Sequence, residues 1–174
     1  GYNWLRQLNS LHLGGCLADD MGLGKTVQTL CLLQWAKEQG QGLSLLVVPT
    51  TLLYNWRNEA AQFCPELKLY THTGSDRTSN PADFEGNDLL ITSYAILRRD
   101  AEMMQGIEFN YLILDEAQAI KNPHSLTATA CFGLKARNRL TLTGTPVENS
   151  LSDLWTQMHF VNRNILGNLT HFMK

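Results

Sequence analysis

Short apolar runs bounded by turn residues recur at 15–18, 44–48, 88–92, 109–114 and 138–143, each with the length of a buried strand. A weaker run at 68–72, KLYTH, reads as a sixth strand. Between these runs apolar residues return at helical spacing over 26–39, closed by Gly40, and over 52–63 and 95–104. A further helix is predicted at 125–134, after the breaker Pro123. A last one spans about 151–161, where Ser150 can cap and Asp153 can answer it. Strands alternating with helices predict an α/β fold: a parallel sheet of about five to seven strands with right-handed crossovers and helices on both faces. In such a sheet ligands bind beyond the carboxyl ends of the strands. The polar, turn-rich stretch at 71–88 reads as an exposed connection.

Composition narrows this picture. A length of 174 residues with 44% hydrophobic content suits a single domain without a linker, covering 1–174. The formal charge of −2 gives no general basic footprint, so contacts with nucleic acid must come from a local patch. No apolar run approaches the roughly 20 residues of a membrane-spanning helix, and no membrane partner is expected. Cys16, Cys31, Cys64 and Cys131 are scattered, which favours buried reduced thiols and an intracellular protein. The chain opens at Gly1 without methionine, so it reads as a piece of a longer protein.

Candidate chemistry begins at 17–30, LADDMGLGKTVQTL, where a strand gives way to a helix. Gly22 and Gly24 let backbone N–H groups converge on a phosphate at the positive end of the helix. Lys25 supplies a point charge for the β- and γ-phosphates, and the Thr26 hydroxyl is placed to ligate Mg²⁺. Asp19 stands where the strict G-x-x-x-x-G-K-[ST] pattern has its first glycine, and an ordinary strand-to-helix turn would use the same glycines.

A second constellation, YLILDEAQ at 111–118, runs an apolar strand into two adjacent carboxylates. Acids next to a core are avoided unless they are paired or bound to a metal. In an ATPase Asp115 would hold Mg²⁺, directly or through water, and Glu116 would accept a proton from the attacking water. The alternative is a helix starting at Asp115, whose dipole favours acids. A third segment, LTLTGTPVEN at 140–149, alternates Thr141, Thr143 and Thr145 along one face before breaking at Gly144 and Pro146. Their hydroxyls could reach the phosphate site or the two carboxylates and sense the nucleotide.

In order along nearly the whole chain, DDMGLGKTVQTL, LLVVPTTLLYNWRNE, LLITSYAIL, LILDEAQAIKNP, LTLTGTPVENSLSDLW and FVNRNILG resemble the motifs of the Swi/Snf-type ATPases of the superfamily-two helicases. The loop MGLGKT, the DEAQ-IKN box and the TGTP-EN-LW segment together separate this group from DEAD-box RNA helicases, and Asp19 is what the group itself shows. The resemblance implies the first RecA-like lobe of a two-lobed motor that translocates on duplex DNA and remodels protein–DNA complexes without separating strands. Its location would be the nucleus or the prokaryotic cytoplasm and nucleoid. By position it places Met21, Gly22, Leu23, Gly24, Lys25, Thr26 and Val27 on ATP–Mg²⁺, with Asp115 and Glu116 in metal binding and hydrolysis. Gln118 would couple the nucleotide to DNA or to the second lobe, helped by Thr143, Gly144 and Thr145. Pro49, Thr50, Thr92 and Ser93 match motifs that touch the DNA backbone, although Thr50 and Ser93 would equally serve as helix caps. The second lobe, with its arginine finger, and the adenine-recognising residues would lie outside these 174 residues.

Other residues read as ordinary. His12, His72, His124, His159 and His171 lack metal-ligand spacing, Arg98 and Arg99 complement a helix dipole, and Trp56 reads as a packing aromatic. Two rival functions remain: a nucleotide-gated binding module with little turnover, and an RNA-directed helicase.

Overall fold

The computed structural model describes all residues except 19–23, 145–150, 164–166, 169–171 and 173–174. Its strands are Gly15–Leu17 (β1), Ser44–Val48 (β2), Leu69–His72 (β3), Leu89–Ser93 (β4), Glu108–Leu114 (β5) and Lys135–Leu142 (β6). They form one sheet in the order β1-β6-β5-β2-β4-β3, and every neighbouring pair is parallel. The helices are Tyr2–Ser10 (α1), Lys25–Glu38 (α2), Leu53–Phe63 (α3), Tyr94–Gln105 (α4), Leu126–Gly133 (α5) and Leu151–Val161 (α6).

Burial explains why some elements were plain in the sequence and others faint. Every residue of β2 and β4 is buried, so both read as continuous apolar runs. The sixth strand, β3, is an edge strand with only His72 fully buried, and its pattern is correspondingly weak. β6 starts at Lys135 rather than 138 because Lys135 and Arg137 point outward, where Arg137 meets Glu108 of β5 at 3.3 Å. α1 carries no capping signal and was not anticipated; it buries Leu5 against the sheet. The stretch 71–88 is not simply exposed. A turn of 3₁₀ helix, Pro81–Phe84, is capped by Asn80, which accepts from the Ala82 N–H at 3.1 Å. This turn drives Phe84 into the core, edge-on to Tyr70 and His72. The expected Ser150 cap lies outside the described residues.

Two apolar layers sandwich the sheet. One packs α1, α2 and α3 on one face through Leu5, Leu30, Leu33, Trp56 and Ala60; the other packs α4, α5 and α6 through Leu97, Met104, Cys131 and Phe160. Full burial of a side chain such as Phe109 or Phe160 stabilises by about 1.5–3 kcal/mol. The end of α6 is pinned to β1 by Asn162, whose amide accepts from the Gly14 N–H at 2.8 Å and donates to the Gly14 carbonyl at 2.9 Å. A Cβ at Gly14 would stand 2.2 Å from the Val161 carbonyl oxygen, so only glycine allows this approach. With all strands parallel, β1, β6, β5 and β2 end on one edge. The connection through α2 passes over two strands to β2 and opens a crevice at that edge.

Candidate active site

The crevice is a cleft of about 320 Å³. Gly24, Lys25 and Thr26 line it at the start of α2, Asn55, Trp56 and Glu59 from α3, and Asp115 and Glu116 beyond β5. Gly24 has φ 75° and ψ 32°, a left-handed conformation that costs other residues roughly 1–2 kcal/mol. A Cβ there would meet nothing within 4 Å, so the backbone angle and not space calls for glycine. Its N-cap, Gly24, has no side chain to cap the helix, and the first-turn N–H groups and the helix dipole favour an anion in the cleft. Met21, Gly22 and Leu23 lie outside the described residues, as does Asp19. Val27 is half-buried in the first turn of α2.

Asp115 extends the β5 pairing by one residue, its N–H donating to the Val47 carbonyl at 2.9 Å. Its carboxylate is held from two sides. The Trp56 indole N–H donates to Oδ2 at 2.7 Å and the Glu116 N–H to Oδ1 at 2.9 Å. The Tyr94 hydroxyl donates to the Asp115 carbonyl at 2.6 Å, and burial pushes that phenol's pKa well above its usual value. Burial likewise pushes the Asp115 carboxyl up, opposed by the Trp56 and Glu116 hydrogen bonds and by the smaller pull of Lys25.

Glu116 follows with φ 49° and ψ 56°, left-handed without being glycine, and turns the chain into the 3₁₀ segment Ala117–Ile120. Strain of this kind persists where the surroundings over-determine it, as at a catalytic turn. It aims the Glu116 carboxylate into the cleft, where the Gln118 amide donates to Oε2 at 2.6 Å. The buried Thr143 hydroxyl in turn donates to Gln118 Oε1 at 3.4 Å, so one chain of bonds links the end of β6 to Glu116. Of the three threonines singled out, Thr143 reaches the carboxylates, through Gln118. Thr141 is fully buried beside the Cys16 thiol. Thr145 lies outside the described residues, and Gly144, just past β6, is half-buried.

The oxygen donors available, the Asp115 carboxylate and the Thr26 hydroxyl, suit a hard cation such as Mg²⁺, which takes few protein ligands and the rest from phosphate and water. Among the described residues no cluster of three or more His, Cys, Asp or Glu side chains offers a dedicated metal cage.

The four residues assigned to the DNA backbone fare unequally. Thr92 is fully buried and its hydroxyl donates to the His72 carbonyl at 2.8 Å, while Ser93 caps α4 by accepting from the Ile96 N–H at 3.3 Å. Thr92 thus spends its hydroxyl proton within the chain, whereas Ser93 only accepts and keeps its proton to donate. Pro49 is half-buried and Thr50 exposed at the 3₁₀ turn leading into α3. The sequence had not placed Trp56, Asn55 or Glu59 at the cleft, nor Tyr94 on the Asp115 carbonyl. A buried indole N–H needs an acceptor, which was a usable signal for Trp56. That the acceptor lies 59 residues away is a property of the fold.

The SNF2-related domain model matches residues 1–174. The SWI2/SNF2 ATPase core of Sulfolobus solfataricus in complex with dsDNA superposes with a TM-score of 0.91 at 41% identity, over 99% of this chain and 36% of that one. A chromatin-remodelling ATPase of Cryptococcus neoformans is 41% identical over 92% of this chain and 10% of its own length. An uncharacterised ATP-dependent helicase of Mycoplasma genitalium is 39% identical over 99% of this chain and 17% of its own. This chain thus spans a minor part of these relatives, with a RecA-like sheet in common with the solved core. The agreement of sequence, topology and motif order shows that the chain belongs to the SNF2-related domain family.

Proposed function

We propose that the chain is the first RecA-like lobe of an ATP-hydrolysing motor that moves on duplex DNA and remodels protein–DNA complexes without separating the strands. The observation that carries this reading is the cleft, where the start of α2 with Lys25 and Thr26 faces Asp115 and Glu116. The family membership and the dsDNA-bound ATPase core it resembles support the reading.

In this mechanism the N-terminus of α2 and Lys25 bind and orient the triphosphate, and α3 walls the cleft against bulk water. Thr26 and Asp115 would hold Mg²⁺, which when bound neutralises charge on the β- and γ-phosphates. Glu116 accepts the proton of the attacking water at a carboxylate oxygen, and Gln118 fixes that carboxylate's orientation through Oε2. Through Thr143, Gln118 also ties Glu116 to the end of β6, so movement there would alter the base's position. Completion of the site needs a second lobe supplying an arginine finger, a contribution of roughly 10³–10⁵ in rate in related phosphoryl transfers. Residues 1–174 alone should therefore hydrolyse ATP slowly.

The test is steady-state ATP turnover by the full-length protein with and without duplex DNA at fixed low salt, since backbone contacts are strongly salt-dependent. Stimulation by duplex DNA that is lost in Glu116→Gln is the expected result. Turnover indifferent to DNA would overturn the translocase reading in favour of a nucleotide-gated binding module, and preference for RNA would favour the RNA helicase.

A further inference from the structure

We infer that Trp56 is a positioning residue for the Mg²⁺-binding carboxylate: its indole N–H, 2.7 Å from Asp115 Oδ2, fixes the orientation in which Asp115 meets the cation. This inference rests on the reading of the cleft as a Mg²⁺–nucleotide site.

Three features of the contact argue for it. First, its partners belong to separate elements. Trp56 comes from α3 after β2, and Asp115 from the end of β5, so the bond ties together two walls of one cleft. Second, the indole is a neutral donor that cannot accept, so it holds a carboxylate oxygen without bringing a positive charge that would compete with a cation. With Oδ1 taken by the Glu116 N–H and Oδ2 by Trp56, each oxygen still has a lone pair to offer the cleft. Third, Trp56 is only 2% exposed and packs against the core with Ala60, so its ring is fixed and the carboxylate it holds has little freedom to rotate. The N–H is the part of the side chain that the apolar layer does not use.

Partners in the shell around a metal ligand typically govern 10–100-fold in metal affinity. In the full-length protein, Trp56→Phe should raise the Mg²⁺ concentration needed for tight binding of a fluorescent ADP analogue by about 10–100-fold. Affinity for the same analogue in EDTA should be unchanged, and lost turnover should recover as Mg²⁺ is raised. An unchanged Mg²⁺ midpoint in folded Trp56→Phe would overturn the inference. So would equal weakening with and without Mg²⁺, since that marks a packing role. If Trp56→Phe does not fold, fluorine NMR of wild-type protein labelled with 5-fluorotryptophan decides. Addition of Mg²⁺ and ADP should shift one indole resonance, and Asp115→Asn should abolish that shift. Its absence in wild type overturns the inference. Should wild-type protein bind the analogue without any Mg²⁺ dependence, the metal-site reading itself falls, and the inference with it.

Discussion

Asp115 and Asp100 are both partly or fully buried carboxylates near the carboxyl edge of the same sheet, and they are held in opposite ways. Asp100, at a break in α4 where φ is −106° and ψ 15°, takes a forked pair of bonds from Arg77, Nε to Oδ2 at 2.5 Å and Nη2 to Oδ1 at 2.8 Å. His72 Nε2 also meets Oδ2, at 2.7 Å. The Arg77 guanidinium holds the Asp100 carboxyl below its usual pKa, helped by His72. Asp115 has neutral donors instead, and burial pushes its pKa up. A carboxylate that the chain has balanced with its own arginine fastens a loop to a helix. One held by neutral donors, with only the weaker pull of Lys25 beside it, suits the cation proposed for the cleft.

That contrast predicts different consequences for the two regions. The largest effect belongs to the cleft. Glu116→Gln should lower turnover by about 10²–10⁴, the usual contribution of a general base, and Lys25→Ala should abolish turnover with the melting temperature of the ligand-free protein nearly unchanged. A large loss of ligand-free stability in Lys25→Ala would show that the cleft, too, is structural and would erase the distinction. The Trp56→Phe effect on Mg²⁺ dependence comes next in size.

At Asp100 the expected change is in stability. Asp100→Asn should cost about 1–2 kcal/mol in denaturant unfolding at neutral pH, below the full range for a buried charged bond because solvent reaches the pair. Turnover should stay within twofold of wild type. The sign with pH follows from the depressed pKa of the folded state. The stabilisation is complete above the unfolded value of about 3.9 and drains away as pH falls through the lower folded value. The difference between wild type and Asp100→Asn should therefore narrow below about pH 4, and a penalty constant down to pH 2 would remove Arg77 pairing as its cause.

Legibility in the sequence divides along the same line. The alternation of elements, the six strands and the adjacency of Lys25, Thr26, Asp115 and Glu116 to one cleft follow from local pattern and from the rule that parallel sheets bind at strand ends. What stayed hidden depends on pairs distant in the chain. The Asn162 clamp on Gly14 spans 148 residues and the Trp56 bond 59, and no local periodicity records either. His72 looked ordinary because the Asp100 it shares with Arg77 sits on another element and interrupts a helix that periodicity alone predicted to be continuous. Thr92, which the resemblance places at the DNA backbone, is fully buried with its hydroxyl bonded to the neighbouring strand, another pairing that only the fold reveals.

The smallest expected effect concerns the cost of shaping the cleft. Glu116 holds φ 49° and ψ 56°, and a Cβ in that region costs roughly 1–2 kcal/mol, while glycine loses about 0.5–1 kcal/mol more chain entropy on folding. Alanine and glycine at 116 both delete the carboxylate and its bond to Gln118, so their difference isolates the backbone. Glu116→Gly should be more stable than Glu116→Ala by about 0.5–1 kcal/mol, the part of the left-handed penalty left after the entropy difference. Equal stabilities would mean that the turn relaxes when the carboxylate is gone, so that the Gln118 bond, rather than the fold around it, imposes the angle. A gain in Glu116→Gly would place the strain in the frame of β5 and the following 3₁₀ segment, which then presents the base to the cleft before any ligand arrives.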